Sequence, residues 1–180
     1  MKSLLTAIPF FAALLFLGCP ARSIHPLFTE NESVSVPGLT GTWNSDDDSY
    51  TFDQAAGNRY RLLLRSRDEN DSIVYSVSSG KLGAFWFLDS SPIKSSNDHH
   101  YLSVHVITRL ELRGDTLRLA SFEADWLKKQ IETKLISIPH IVRDSEVILT
   151  ATTEELQQLI TAIGGNDDAF PNPSIYIRSH

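Results

Sequence analysis

Apolar and polar side chains alternate with period two through much of this chain. From Arg59 to Arg65, Tyr60, Leu62 and Leu64 oppose Arg59, Arg61 and Arg65, which predicts a half-buried strand. Asp68-Glu69-Asn70-Asp71 reads as a turn, after which Ile73, Tyr75 and Val77 line one face of a returning strand. Gly80-Lys81 reads as the next turn, leading into Leu82–Leu88, which is apolar on both faces like a strand covered on both sides. The longest alternation runs from Tyr101 to Leu112, and Gly114-Asp115 turns it into Thr116–Ala120. Such short connections predict an antiparallel meander.

Two helices interrupt it. Asp125 is placed to cap Trp126–Lys134, where Leu127 and Ile131 share a face. Thr152 and Glu155 form a capping box ahead of the stripe Leu156, Leu159, Ile160 and Ile163, which ends at Gly164-Gly165. Ser137–Val142 and Val147–Thr150 read as a further hairpin, and Ser174–Arg178 as a strand able to close the sheet. The expected fold class is therefore mainly β, an antiparallel meander curled into a sheet or barrel with two inserted helices.

The N-terminus follows a different pattern. Lys2 is followed by Leu4–Leu17, an uncharged run too short for a spanning helix of ~20 residues but of the length of a secretory h-region. Gly18 ends it, and the only Cys of the chain follows at position 19. Phe16-Leu17-Gly18-Cys19 resembles the lipobox of bacterial lipoproteins, departing from it in having Phe16 and Leu17 where Leu and a small residue are preferred. The resemblance implies cleavage before Cys19 and acylation of its thiol and new amine, hence anchoring to a membrane. Two or more acyl chains hold a protein stably, at ~0.8 kcal/mol per buried methylene. Pro20 stands where Asp would mark retention at the inner membrane, so the resemblance points to the periplasmic face of the outer membrane. Residues 1–18 are then signal peptide. Pro20–Pro37 has neither helical nor strand periodicity and reads as a flexible tether of ~25 Å that carries Cys19, with residues 38–180 as one globular domain.

Two weaker resemblances concern the body. Gly41-Thr42-Trp43 resembles the Gly-x-Trp of the first strand of lipocalins, which implies a lipocalin-like barrel. Asp125-Trp126-Leu127 and Thr153-Glu154-Glu155-Leu156-Gln157 are similar to stretches in uncharacterised bacterial lipoproteins, which implies no activity.

Composition narrows the function further. Without residues 1–18 the chain carries 15 basic and 22 acidic side chains, a net charge of -7, so nucleic acid is not an expected partner. A Gly-x-Ser-x-Gly elbow, a glycine-rich phosphate loop and a second Cys are absent from the sequence, so the chain is not expected to be an enzyme and no cofactor is expected. No metal is expected either. His99 and His105 would lie ~20 Å apart on an extended strand, and Asp46-Asp47-Asp48 lacks the ligand spacing of a calcium loop and reads as a solvated turn.

Two roles remain. One is a non-catalytic interaction or assembly module with an envelope protein partner, which calls for a contiguous exposed apolar patch. The other is a calyx for a small apolar ligand such as a lipid, which calls for a hollow interior lined by aromatic residues. Trp43, Phe85, Trp86 and Phe87 are the candidate ligand-binding residues.

Overall fold

The computed structural model describes residues 19–66, 72–93, 103–144 and 146–180. Eight strands form a closed antiparallel barrel. Seven follow one another as a meander: β2 (Gly41–Asn44), β3 (Asp48–Gln54), β4 (Tyr60–Ser66), β5 (Ser72–Leu82), β6 (Phe85–Pro92), β7 (His105–Arg113) and β8 (Thr116–Ser121). The last strand, β11 (Ser174–Arg178), is antiparallel to both β8 and β2 and joins the two ends of the meander. Alternation sends Tyr60 and Leu62 of β4, Val77 of β5 and Leu88 of β6 inward, where they meet Trp43, Phe52, Leu110, Leu117 and Tyr176 in one apolar cluster. The expected strand from Tyr101 begins at His105 among the described residues; Tyr101, Leu102 and the Asp68–Asp71 turn lie outside them.

A second apolar cluster lies on the outside of the wall. Helix α1 (Ala124–Glu132) buries Leu127, and helix α2 (Thr153–Ile163) buries Leu156 and Ile160. They pack with the outward-facing Phe87, Ile107, Ala120 and Phe122 and with Phe170. The capping box of Thr152 and Glu155 is present as expected. At α1, Glu123 rather than Asp125 is the N-cap, accepting from the Asp125 amide at 3.3 Å, and the helix ends at Glu132 with Lys134 turned to φ 59°. A short β1 (Arg22–Ser23) pairs antiparallel with β7 and parallel with β10 (Glu146–Leu149), which carries β9 (His140–Arg143) at its outer edge.

Pro20–Pro37 is not a free tether. It crosses the outer wall from one end of the barrel to the other and is held along its length. Pro20 bridges to Glu123, the Ala21 amide donates to the Phe122 carbonyl at 2.7 Å, and Ile24 donates to Leu149 at 3.0 Å. Leu27 and Phe28 are buried in the outer cluster, and the Val34 amide donates to the Ser79 carbonyl at 2.8 Å. The folded domain thus begins beside Cys19 rather than at residue 38. A spaced set of apolar anchors (Ala21, Leu27, Phe28 and Val36) attaches an irregular segment that has no periodicity of its own.

This packing also moves a turn. Gly80 remains within β5, and the hairpin to β6 turns at Gly83-Ala84, with Gly83 at φ +59°. Gly80 lacks a side chain because the Phe28 ring lies on it; a Cβ there would sit 2.5 Å from the Phe28 Cε1. A strand glycine marks a close approach as readily as a turn.

Candidate functional site: the open end of the barrel

Among the described residues the barrel is closed at one end and open at the other. The closed end is shut by the strap where it turns inward. Val36 and Tyr60 exchange hydrogen bonds, the amide donating to Tyr60 Oη at 2.7 Å and the hydroxyl donating back to the Val36 carbonyl at 3.2 Å. Trp43 Nε1 donates to the Leu39 carbonyl at 2.8 Å. The Arg178 guanidinium lies 4.1 Å from the centre of the Trp43 ring and donates to the carbonyls of Gly38 and Thr40. Gly41, at φ +125°, is the residue a close guanidinium permits, since a Cβ would lie 2.9 Å from Arg178 Nη1.

Toward the other end the interior is hollow. A cavity of about 270 Å³ opens between the strands. Eight-stranded barrels either fill with their own side chains or leave an interior cavity; this one is filled in its lower half and hollow above. The cavity floor is apolar, formed by Phe52, Leu62, Val77, Leu88 and Leu119. Nearer the opening hydroxyls join the lining, from Tyr50, Tyr75 and Tyr176 with Ser90, Thr108, Ser121 and Ser174, beside the apolar Leu64 and Val106. Pro20 also borders the opening, so the first residue of the strap stands on the rim.

Tyr50 and Tyr176 are the central pair of this ring, with ring centres 4.6 Å apart. Burial pushes both hydroxyls above the ordinary tyrosine range, so they remain neutral donors and acceptors. Burial, and then the neighbouring Asp47, raises the Asp48 carboxyl, which acts electrostatically on both tyrosines. The described lining contains no basic side chain. An apolar floor under neutral hydroxyls, with a carboxyl beside them, fits an amphiphile whose polar end is neutral or cationic.

The four aromatic residues singled out from the sequence stand elsewhere. Trp43 is fully buried beneath the floor, and Trp86 faces inward at the closed end near Leu112 and Arg178. Phe87 faces outward and packs on Phe170 at 5.6 Å between ring centres, while Phe85 is 38% exposed on the outer wall. None of the four borders the cavity. The ring of Tyr50, Tyr75 and Tyr176 was accessible to sequence reasoning only through inward alternation combined with distance from the closed end. Cys19 is exposed, and its carbonyl accepts from the Ala124 amide at 3.0 Å.

One buried polar pair gave no signal by spacing. Asp89 is buried on the outer face of β6, where Oδ2 accepts from the Leu27 amide at 2.8 Å and Oδ1 meets His105 Nδ1 at 2.7 Å. A lone Asp at the end of the run Phe85–Leu88 is the available signal, because a buried carboxylate needs partners. These contacts make the pair a clamp for the strap. His99 and His100 lie outside the described residues, among which no cluster of three or more His, Cys, Asp or Glu could hold a metal.

No family model matches this chain, and no curated protein or solved structure is significantly similar to it.

Proposed function

We propose that this chain is a lipid-anchored bacterial envelope protein, held at the periplasmic face of the outer membrane through acyl groups on Cys19, whose barrel binds a small neutral or cationic amphiphile. The cavity carries this reading: about 270 Å³, with an apolar floor, a tyrosine ring and no described basic lining residue. The anchor reading is supported by the charged start, the apolar run and the sole Cys at the lipobox position. Among the described residues no helix is long and apolar enough to cross a membrane.

The assembly-module reading has a narrower support. Exposed apolar residues on β11 stand among polar cross-strand partners, Ile175 opposite Arg118 and Ile177 opposite Asn44. Among the described strands only β9, at the sheet edge with Ile141 and Val142 exposed, presents pairing groups to a partner strand.

The two are separated by a Ser90→Trp variant, which places an indole in the cavity. Monoacylglycerol is the probe, followed by native mass spectrometry against residues 19–180 carrying Cys19→Ser. The expected result is a one-to-one complex lost in the variant, with the unfolding temperature little changed. Equal uptake by both proteins, or by neither, rules out the cavity as the binding site.

A further inference from the structure

An acyl anchor ordinarily reaches its domain through a spacer, and here the described chain leaves none. Cys19 is hydrogen-bonded through its carbonyl to the first turn of α1, and Pro20, the next residue, borders the cavity opening. Acyl chains on Cys19 would therefore enter the bilayer within one residue of the barrel mouth. The bonds of Ala21 and Ile24, with the ion pair of Arg22 and Glu146 at 2.9 Å, fix the direction in which the chain leaves the domain.

The rim is chemically suited to that position. Ile73, paired with the cavity-lining Leu64, is 46% exposed at the open end of β5, and Ile93 just beyond β6 is 48% exposed. Both would be covered by lipid rather than water. Both signs of charge stand at this end among the described residues, Asp46 and Asp47 on the β2–β3 turn and Arg22 and Lys128 beside Cys19, so the anchor rather than a patch of one sign fixes the orientation.

We infer that the barrel sits mouth-down on the bilayer and that its cavity receives a neutral acyl chain directly from the membrane side, either from a bilayer lipid or from the diacylglyceryl group of Cys19 itself. The inference rests on the anchored reading proposed above. The cavity holds the volume of about nine waters at ~30 Å³ each, enough for part of one chain and not for a whole lipid. With no described cation in the lining, an uncharged glycerol ester suits the hydroxyl ring better than a free carboxylate or a phosphate.

The test uses the full chain, processed in a bacterial host and reconstituted into phosphatidylcholine vesicles. Photoreactive benzoylphenylalanine is placed at Leu64 in the cavity or at Asp53 on the exposed outer wall. The mass of the protein is read first. Lipid adducts at position 64 in several-fold excess over position 53 are expected, and adduct mass distinguishes a phosphatidylcholine from a cross-link to the chain's own Cys19 lipid. A flexible insert of about ten Gly and Ser residues between Cys19 and Pro20, reaching ~17 Å, should lower that labelling several-fold while acylation is retained. An acylated protein without adducts at position 64, or one labelled equally with the insert, overturns the mouth-down inference and leaves the anchor reading standing. A protein without acyl groups overturns both.

Discussion

If the strap is packed as described, Gly80→Ala must destabilise the domain. The Ala Cβ would lie 2.5, 2.7 and 2.9 Å from three atoms of the Phe28 ring. Carbon atoms rest about 3.5–4.0 Å apart, so the ring must retreat by roughly 1 Å. It has little freedom to do so, being 4% exposed within the outer cluster. Overpacking of this kind costs roughly 1–3 kcal/mol, against which the intrinsic gain of Ala over Gly in a strand is roughly 0.5–1 kcal/mol. A net loss centred on roughly 1.2 kcal/mol, and of at most roughly 2.5 kcal/mol, follows from the two. With a urea slope of roughly 2 kcal/mol per M, the unfolding midpoint should fall by roughly 0.6 M. The assay is urea unfolding of residues 19–180 with Cys19→Ser, followed by far-ultraviolet circular dichroism. A strap that hung free would leave only the intrinsic term, and the midpoint would rise. The sign alone therefore decides, and a stabilised Gly80→Ala variant would refute packing of Phe28 on β5. Phe28→Leu in the Gly80→Ala background should recover part of the loss, a coupling that a double-mutant cycle isolates.

Other consequences follow from the same geometry. Asp89→Ala removes the acceptor of the Leu27 amide and the partner of His105 Nδ1, so the expected loss is roughly 1–3 kcal/mol by thermal unfolding, with faster hydrogen exchange at Leu27. Unchanged exchange there would mean that the carboxylate does not clamp the strap. Arg178→Ala removes a cation stacked on Trp43 and two carbonyl contacts; a loss of roughly 1–3 kcal/mol and altered Trp43 emission are expected, and native-like emission would count against the stacking. Tyr50 and Tyr176 are raised above the ordinary tyrosine range in the folded state, so in alkali the unfolded chain loses these protons first. Their contribution to stability is complete below a pH of about 10 and declines as the pH rises beyond it. Absorbance at the tyrosinate band should show a late component, from Tyr50 and Tyr176, that appears together with unfolding, and its absence would contradict their burial.

The sequence by itself determined the elements and their class. Period-two alternation in Arg59–Arg65 and in the strand ending at Leu112 placed Leu62, Val106 and Leu110 inside, because a strand with one wet face must sort its side chains that way. The capping box at Thr152 marked the start of α2 because both of its bonds are local in the chain. Tertiary structure decided what depends on partners distant in sequence. Gly80 reads as a turn until Phe28, fifty-two positions earlier, is seen lying on it. Pro20–Pro37 reads as tether because its anchors have no period; its order comes from a wall made by β5, β6 and β7. The aromatic residues chosen for a ligand pocket were correctly assigned to strands, yet period two cannot say how far along the barrel axis a side chain stands. Trp43 faces inward like Tyr50 and Tyr176, but its depth at the closed end makes it a plug, while theirs makes them the rim of a cavity. That depth follows from strand stagger and barrel closure, which involve all eight strands at once.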